Sequence, residues 1–316
     1  MNNNSPFVSI IVPTKNRNDF LCRAIKSIIN QTFYDWECII IDDNSDIPVN
    51  KSISHLVKND QRFTLIRNSY TQFASKSRNI GIKKARGKLI AFLDDDDYWD
   101  KEKLSSQINF MTKNNFEVSY CWSTLIDSEN NFSFREPNLS GNIFDLMLDG
   151  QPLCNCSTFL ASKDALESVG LFNNLLKRGN DGDLIRKLSK NYQIGLLKKR
   201  LVFYQIDTRG TNISVNNQIG IKRSLKSYKY RLYFFKEALI NRPIQYANIN
   251  LEIARCYAKL NMFKMSLKYF LKSFKIYTLS FKNYFSKIIR VFLLIILVIF
   301  RKSTNSLNLI FNFFRK

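Results

Sequence analysis

Residues 89–97 of the chain read LIAFLDDDD, so five apolar residues run directly into four consecutive aspartates. A short continuous apolar run of this kind predicts a β-strand that is buried on both faces, as in parallel sheets covered by helices. Two earlier runs, at 7–12 and 36–41, have the same form and also stop at polar residues, which are PTKNR in the first case and DD in the second. We therefore expect three buried strands, each ending on polar side chains.

Helical spacing of apolar residues fills the intervals between these strands. The pattern predicts helices at 19–29, about 50–58, 75–85 and 101–114, and a further strand at 63–66. Strands that alternate with helices across short connections predict an α/β fold with a mostly parallel sheet covered on both faces. Ligands of such sheets bind beyond the carboxyl ends of the strands, so we expect the polar residues that follow the three strands to share one edge.

The four aspartates at 94–97 repel one another, by about 4 kcal/mol for two charges about 4 Å apart at an effective dielectric near 20. A cation among them relieves that repulsion, and Mg²⁺ and Mn²⁺ prefer carboxylate oxygens. Asp94 and Asp96 at a strand end can hold a metal that neutralises a leaving diphosphate. The alternative is helix capping by Asp97 or Asp100, which needs one aspartate and not four. We favour the metal or phosphate site.

Asp43, at the end of the second strand, allows two interpretations. Its carboxylate can accept hydrogen bonds from a ribose or a base, or it can be a turn residue in the sequence DDNS. The residues alone do not decide between them.

Composition excludes several kinds of chemistry. Of the 316 residues 45% are hydrophobic, which indicates a globular chain, and a single histidine, His55, excludes multi-histidine metal sites. No G-x-G-x-x-G follows the first strand and no P-loop motif occurs, which argues against a dinucleotide cofactor or P-loop phosphotransfer. The six cysteines and a start without a secretory signal indicate a reducing, cytoplasmic setting. Cys154-x-Cys156 is a weak metal signal, and a plain loop pair is the favoured interpretation.

Several ordered motifs resemble those of the family 2 glycosyltransferases. The resemblance covers about residues 6–215, two thirds of the chain, and its specificity comes from the order of several motifs, since each alone is weak. The motifs are VSIIVPTKNR at 8–17, S-x-x-x-Q-T-F at 27–33, IDDNSD at 41–46, R-N-x-G at 78–81, A-x-G-x-x-I-x-F-L-D-D-D-D-x-W at 85–99, G-x-F at 170–172 and RGNDGDLIRKL at 178–188.

The resemblance implies a GT-A fold, a nucleoside-diphosphate sugar donor, a divalent metal (Mn²⁺ or Mg²⁺) and inversion at the anomeric carbon. Carried over residue by residue, it implies that Asp43 binds the uridine part of a UDP-linked donor. The residues that would assist Asp43 in holding the donor are Pro13, Thr14, Arg17 and Arg78.

The same resemblance assigns roles to the acidic residues. Asp94 and Asp96 match the D-x-D motif and would hold the metal, with Asp95 beside them at the donor. Asp181 takes the place of the general base that removes the proton from the attacking hydroxyl. The family usually has Glu-Asp where this chain has Asn180 followed by Asp181, so Asp183 stays open as an alternative base. Without the resemblance, acids here would be taken as a helix start stabilised by the dipole.

The last third of the chain differs in charge from the rest. The net charge is +22, and residues 221–316 carry 20 Lys and Arg against 2 Asp and Glu. This segment predicts a helix at 222–235 and an antiparallel pair at 250–260 and 263–277 that loosely resembles a tetratricopeptide unit. We therefore predict three parts: a GT-A domain at 1–218, a basic helical domain at 219–280 and a membrane-associating tail at 281–316.

Within that tail, residues 291–300 are ten apolar residues flanked by Lys and Arg, and a second apolar cluster follows at 309–314. Ten helical residues extend about 15 Å, too short for a bilayer core of about 30 Å. Apolar faces with flanking cations favour insertion into an anionic membrane surface, and a buried core helix is the alternative. Absence of helix-turn-helix, RNP and zinc patterns argues against a nucleic-acid partner.

Together these features predict a metal-dependent inverting glycosyltransferase. It would move a sugar from a nucleoside-diphosphate sugar to a hydroxyl of a glycan or lipid-linked acceptor in surface polysaccharide synthesis, while held peripherally at the inner face of the cell membrane. The alternative is a non-catalytic nucleotide-sugar-binding scaffold at the membrane.

Overall fold

The computed structural model describes residues 5–151, 153, 155–206 and 217–277, which form two compact units, one on each side of the gap at 207–216. In the first unit the elements are β1 (Val8–Thr14), α1 (Asn18–Ile29), β2 (Trp36–Asp42), α2 (Asn50–Val57), β3 (Phe63–Arg67), α3 (Phe73–Lys84), β4 (Leu89–Phe92), β5 (Tyr98–Trp99), α4 (Lys103–Asn114), β6 (Val118–Ile126), β7 (Phe132–Arg135), α5 (Phe144–Asp149), β8 (Phe159–Ser162), α6 (Lys163–Ser168), α7 (Asn180–Asn191) and β9 (Ile194–Gln205).

These strands form one sheet in the order β3-β2-β1-β4-β8-β6-β9-β5, with β7 paired to β6. The half made of β3, β2, β1 and β4 is parallel throughout. Strand β8 pairs antiparallel with β4 and β6, while β6 and β9 run parallel. The predicted α/β fold with its parallel core is confirmed. Strands β5 to β9 were not predicted. Runs of two to four residues, as in β5, β7 and β8, carry too little periodicity, whereas β6 and β9 are longer and were missed.

Helices cover both faces of the sheet, as predicted. Neighbouring residues of β1 point to opposite faces: Ile10 joins a core formed with α1, α2 and α4, and Ile11 joins a core formed with α3, α5, α6 and α7. Every residue of β1 and β2 is buried. This double burial is the reason that the strands are mostly apolar on both faces, and the buried Ser9 and Glu37 within them hydrogen-bond to each other.

The carboxyl ends of the parallel strands meet at one edge. The backbone N–H of Asp43, just past β2, donates to the carbonyl of Thr14 at the end of β1 at 2.8 Å. The N–H of Leu93, just past β4, donates to the carbonyl of Ile11 at 3.1 Å. The polar segments that follow these strands therefore share one edge of the sheet, as the sequence predicted.

The second unit is helical in its described part. Its elements are α8 (Gln218–Phe234), α9 (Lys236–Ile240), α10 (Pro243–Lys259) and α11 (Phe263–Tyr277). Ser266 donates to the carbonyl of Ala254 and Ser273 to that of Ala247, each at 2.8 Å, so α10 and α11 run antiparallel. The predicted antiparallel pair is present, and its first helix begins earlier than expected.

None of the helices within the described ranges is long and apolar enough to cross a membrane. The predicted tail at 281–316, including the apolar clusters at 291–300 and 309–314, lies outside the described residues.

Candidate active site

The four aspartates form a tight turn between β4 and β5. The backbone N–H of Asp97 donates to the carbonyl of Asp94, which closes the turn. Asp95 and Asp97 point inward and are buried, whereas Asp94 and Asp96 are only partly buried and face the open edge. The turn therefore presents the first and third carboxylates to a ligand and keeps the second and fourth for the protein.

Residues of the β1–α1 connection reach this turn. Thr14 Oγ1 donates to Asp95 Oδ2 at 2.8 Å. Arg17 Nη1 donates to Asp95 Oδ1 at 3.2 Å and to Asp96 Oδ2 at 2.5 Å. The structure thus brings Thr14 and Arg17, two of the predicted donor-binding residues, to the acidic turn. Pro13 is buried within β1 beside them.

Arg78 on α3 connects the acidic turn to Asp181. The guanidinium is buried and packs 5.3 Å from the ring centre of Phe172. Nη2 donates to Asp94 Oδ1 at 2.5 Å, and Nη1 lies 3.5 Å from Asp181 Oδ1. One arginine therefore links two predicted site residues that are 87 positions apart in the chain.

Asp181 lies in the first turn of α7, after Gly179, whose φ of +71° is the left-handed conformation that glycine favours. Its side chain is 31% exposed, and its Oδ1 also accepts from the thiol of Cys156 at 3.2 Å. Both contacts end on Oδ1, and Oδ2 has no protein hydrogen-bond partner within the described residues. Asp181 therefore keeps one carboxylate oxygen available at the edge that carries the acidic turn.

Asp183, the alternative base, has a different environment. Its side chain is 1% exposed and lies 3.6 Å from Nζ of Lys187, one helical turn later. The neighbouring Asn180 donates from Nδ2 to Ser75 Oγ at 2.8 Å, which ties the start of α7 to α3. The geometry favours Asp181 over Asp183 as the group that meets a substrate.

Asp43 lies at the same edge but is largely engaged by the protein. Its Oδ1 accepts from Asn68 Nδ2 at 2.8 Å and from the backbone N–H of Gln72 at 2.7 Å. Its Oδ2 accepts from the N–H of Phe73 at 2.8 Å. Asp43 therefore stabilises the start of α3, a role that the sequence reasoning missed because it depends on residues 25 to 30 positions away.

Burial is the main cause that raises the pKa values of the carboxylates in and beside the turn. Burial, reinforced by the charge of Asp96, raises the pKa of Asp95 to about 7, against the opposing effects of Arg17 and Thr14. Burial also raises the pKa of Asp96 and of Asp181, with Arg17 and Arg78 opposing it respectively. A cation bound beside the turn would favour the ionised form of these carboxylates and so lower their pKa values.

The side chains present fit a divalent metal. Within the described residues no group of three or more His, Cys, Asp or Glu is arranged as a complete metal cage. Asp94 and Asp96 nevertheless offer hard oxygen ligands on a partly exposed turn, which suits Mg²⁺ or Mn²⁺ held by one or two carboxylates together with substrate phosphates.

Comparison with known proteins identifies relatives of this chain. The family model "Glycosyl transferase family 2" matches residues 9–170. An uncharacterized glycosyltransferase of Rickettsia bellii is 34% identical over 212 residues, covering 66% of this chain and 30% of that protein. The Escherichia coli UDP-Glc:alpha-D-GlcNAc-diphosphoundecaprenol beta-1,3-glucosyltransferase WfgD is 40% identical over 113 residues, covering 36% of this chain and 44% of WfgD. The chain thus matches less than half of the length of each.

Solved structures show the same fold at low sequence identity. Staphylococcus aureus TarS in complex with UDP has a TM-score of 0.56 and 17% identity, covering 85% of this chain and 88% of that one. The mannosyltransferase PcManGT of Pyrobaculum calidifontis, in complex with GDP-Man and Mn²⁺, has a TM-score of 0.58 and 12% identity, covering 96% and 89%. The fold is that of the GT-A glycosyltransferases, as predicted.

Proposed function

The chain belongs to glycosyl transferase family 2, and from that premise we propose that it is a metal-dependent inverting glycosyltransferase. It moves a sugar from a nucleoside-diphosphate sugar to a hydroxyl of a glycan or lipid-linked acceptor in surface polysaccharide synthesis. The observation that supports this best is the convergence of Asp94 and Asp181 on the single guanidinium of Arg78. The acidic turn, which is the candidate metal site, and a candidate base then lie on the two sides of one arginine, and a metal site with a base is the minimum that an in-line displacement needs.

In this proposal Asp181 is the general base. An attacking hydroxyl must lose its proton as it bonds to the anomeric carbon, and a carboxylate within hydrogen-bond reach can take it. Oδ1 of Asp181 is held by Arg78 and Cys156, and Oδ2 has no protein partner in the described part of the chain. Oδ2 is therefore the atom that accepts the proton.

Donor binding is assigned to the acidic turn and to the β1–α1 connection that contacts it. Asp94 and Asp96 would hold Mn²⁺ or Mg²⁺, which when bound neutralises charge on the leaving diphosphate. Arg17, which pairs with Asp95 and Asp96, is positioned to exchange one carboxylate partner for a phosphate oxygen. Pro13, Thr14 and Asp43 line the edge where the nucleoside would lie, and Arg78 keeps Asp94 oriented.

The choice of a UDP-linked donor and a lipid-linked acceptor draws on the relatives. WfgD and WfaP of E. coli are both named as enzymes that use UDP-Glc and GlcNAc-diphosphoundecaprenol. TuaG of Bacillus subtilis is named a putative teichuronic acid biosynthesis glycosyltransferase. PcManGT carries GDP-Man, so the nucleotide varies among proteins of this fold and must be tested directly.

The proposal includes a peripheral position at the inner face of the cell membrane, where a lipid-linked acceptor would be reached. Residues 217–277 carry 13 Lys and Arg against 2 Asp and Glu. On α11, Lys264, Lys268 and Lys272 recur every four residues on one exposed helical face, next to the exposed Leu271. Such a basic face suits anionic headgroups.

The test of the reaction is release of nucleoside diphosphate from UDP-glucose, UDP-N-acetylglucosamine and GDP-mannose, with Mn²⁺ and a GlcNAc-diphospholipid acceptor. We expect Asp181→Ala to lower turnover at least about 100-fold. We expect that added Mn²⁺ no longer stimulates turnover in Asp96→Ala. The exposed Asp164→Asn, on α6, is the matched control and keeps wild-type turnover. Equal turnover in wild type, Asp96→Ala and Asp181→Ala would reject the assignment. Nucleotide binding without turnover on any acceptor would support the scaffold alternative.

A further inference from the structure

Cys156 lies at the start of a short 3-10 turn, Cys156–Thr158, that leads into β8. The side chain is buried, and its sulfur lies 3.2 Å from Asp181 Oδ1. Burial raises the pKa of this thiol well above its ordinary value, so the proton stays on sulfur and the thiol acts as a donor. The contact is therefore an S–H···O⁻ hydrogen bond to the proposed base.

The surroundings leave few other donors for Asp181. Beneath the carboxylate is a small cavity whose lining, besides Cys156 and Asp181, is apolar: Phe92, Phe159, Ala161, Leu166, Leu184, Ile185 and Leu188. On the other side, Arg78 Nη1 approaches the same Oδ1 at 3.5 Å, a long contact, because its Nη2 is drawn to Asp94 at 2.5 Å. The thiol is thus the shorter of the two contacts that orient Oδ1.

The turn that carries Cys156 is fixed to the acidic turn. Ser157 Oγ donates to Asp97 Oδ2 and accepts from the backbone N–H of Asp94 at 3.1 Å. Trp99 Nε1 donates to the carbonyl of Ser157 at 2.9 Å. The sulfur is therefore held by the same segment that carries the candidate metal ligands, and its position relative to them is set by several hydrogen bonds.

We propose that Cys156 is a positioning residue for the transfer reaction. Its S–H holds Oδ1 of Asp181 and thereby turns Oδ2 toward the incoming acceptor hydroxyl. This inference rests on the proposed function, since it assumes that Asp181 is the base. A plain apolar core residue at 156 would fill the same space but would leave Oδ1 with only the long contact to Arg78.

The first experiment compares Cys156→Ala, which removes the donor, with Cys156→Ser, which keeps one. With UDP-glucose and the GlcNAc-diphospholipid, we expect Cys156→Ala to lower kcat about tenfold, the effect of one hydrogen bond to a charged group. KM for the donor and calorimetric affinity for UDP stay at wild-type values, because the donor side is untouched. Cys156→Ser recovers most of kcat. The matched control is Cys121→Ala, which removes a buried core thiol that donates to the backbone carbonyl of Thr158 and neighbours Lys103, not Asp181.

A pH profile separates positioning from a general loss of stability. The charged or titratable groups that face Asp181 in the described structure are Arg78, Asp94 and Cys156. The S–H hydrogen bond favours the ionised carboxylate of Asp181. Cys156→Ala removes this bond, so the acid limb of the kcat–pH profile shifts to higher pH, while Cys121→Ala leaves that limb in place. Wild-type kcat and an unshifted limb in Cys156→Ala would overturn the inference.

Failure of the proposed function is distinguishable from failure of this inference. If Asp181→Ala turns over like wild type, Asp181 is not the base, and the positioning role fails with it. If Asp181→Ala is inactive but Cys156→Ala is fully active, only the role of Cys156 fails. Should wild type show no turnover, a carbon-detected NMR titration of the Asp181 carboxyl still decides: a higher pKa in Cys156→Ala supports the contact, and an unchanged pKa rejects it.

Discussion

Asp97 is the aspartate of the acidic turn that the fold itself uses. Its side chain is completely buried, and its Oδ2 accepts from Ser157 Oγ at 2.5 Å and from Asn155 Nδ2 at 2.9 Å. Its Oδ1 accepts from the backbone N–H of Gln205 at the end of β9. Four identical residues in a row therefore divide between ligand-facing and structural roles. The alternative role, capping of the following helix by Asp97 or Asp100, is not seen: the N-cap of α4 is Glu102 without a side-chain cap, and Asp100 Oδ1 accepts from the N–H of Glu102.

The hydrogen bonds of Asp43 lead to a prediction for the free energy of unfolding. Asp43→Ala leaves the N–H groups of Gln72 and Phe73 and the Asn68 amide without their acceptor. Unsatisfied buried donors cost about 1 to 3 kcal/mol each, and water recovers part of this, so we expect the free energy of unfolding to fall by about 2 to 4 kcal/mol. Urea denaturation measures it. Asp46→Ala, at an exposed position, is the control, and an unchanged midpoint in Asp43→Ala would contradict the assigned role.

Lys103 is a fully buried cation that the proposed reaction does not use. Its Nζ donates to the carbonyl of Phe159 at 3.3 Å and lies 4.2 Å from the ring centre of Trp99. Burial lowers the pKa of Lys103 to about 8, with the neighbouring Cys121 opposing the shift. The folded protein therefore releases this proton at lower pH than the unfolded chain does.

The consequence is a stability that rises with pH between the two pKa values. Between about pH 8 and 10.5 the unfolded state binds more protons at residue 103 than the folded state, so wild type gains stability across this window. Relative to Lys103→Met, which cannot titrate, we expect a gain of about 2 to 3 kcal/mol from pH 7 to pH 10. Chemical denaturation of both proteins at the two pH values measures it, and a constant difference between them would disprove the shift.

At the scale of elements, the approach of α3 and β4 to β1 depends on a glycine. A Cβ on Gly87 would lie 2.5 Å from the backbone nitrogen of Ser9 and 2.7 Å from the carbonyl carbon of Val8. The N–H of Gly87 also donates to Ser9 Oγ, which itself donates to Glu37. The turn between α3 and β4 is therefore pressed against β1, and it sets where the acidic turn begins.

Gly87→Ala should thus force β4 away from β1. Since backbone atoms cannot yield as a flexible side chain can, we expect a loss of about 2 kcal/mol or more in unfolding free energy. Gly182→Ala on α7 is the matched control: its nearest neighbour is the flexible Arg186 side chain at 3.3 Å, and alanine favours a helix. Thermal unfolding of both variants tests the contrast, which fails if the two melt alike.

At the scale of the whole molecule, charge is divided between an almost balanced α/β unit and a strongly basic helical one. The basic unit is held together by small residues, with Ala247, Ala254 and Ala258 packed against Phe270. Lys264 and Lys268 of α11 are exposed and lie outside this cluster, so they can meet a partner of opposite sign. Binding to anionic lipid is the prediction that belongs to this scale.

The full chain should sediment with vesicles containing about one third anionic lipid and not with neutral vesicles, and added salt should release it. We expect Lys264, Lys268 and Lys272→Gln to weaken binding roughly tenfold or more, because each cation near the surface contributes about 1 kcal/mol. A triple control, Lys83, Lys84 and Lys88→Gln, removes the same charge from exposed positions of the α/β unit. Equal losses in the two triple variants would show a non-specific charge effect.

The predicted tail can be examined in the same assay. Removal of residues 280–316 should release the protein further if the apolar clusters of that segment insert between lipids. A truncated protein that sediments as strongly as the full chain would assign binding to the described helices alone.

The sequence by itself determined the α/β architecture and the edge where Thr14, Asp43 and the acidic turn meet. It did so because buried parallel strands and their helices impose local periodicities, and because the carboxyl ends of parallel strands must lie together. Which aspartates of the acidic turn are buried and which are partly exposed follows only from the three-dimensional packing. The same is true of the contacts of Asp43 with the start of α3 and of Arg78 and Cys156 with Asp181. Those contacts join side chains 25 to 103 positions apart. No local repeat encodes such a meeting, since it follows from how the helices pack over the sheet.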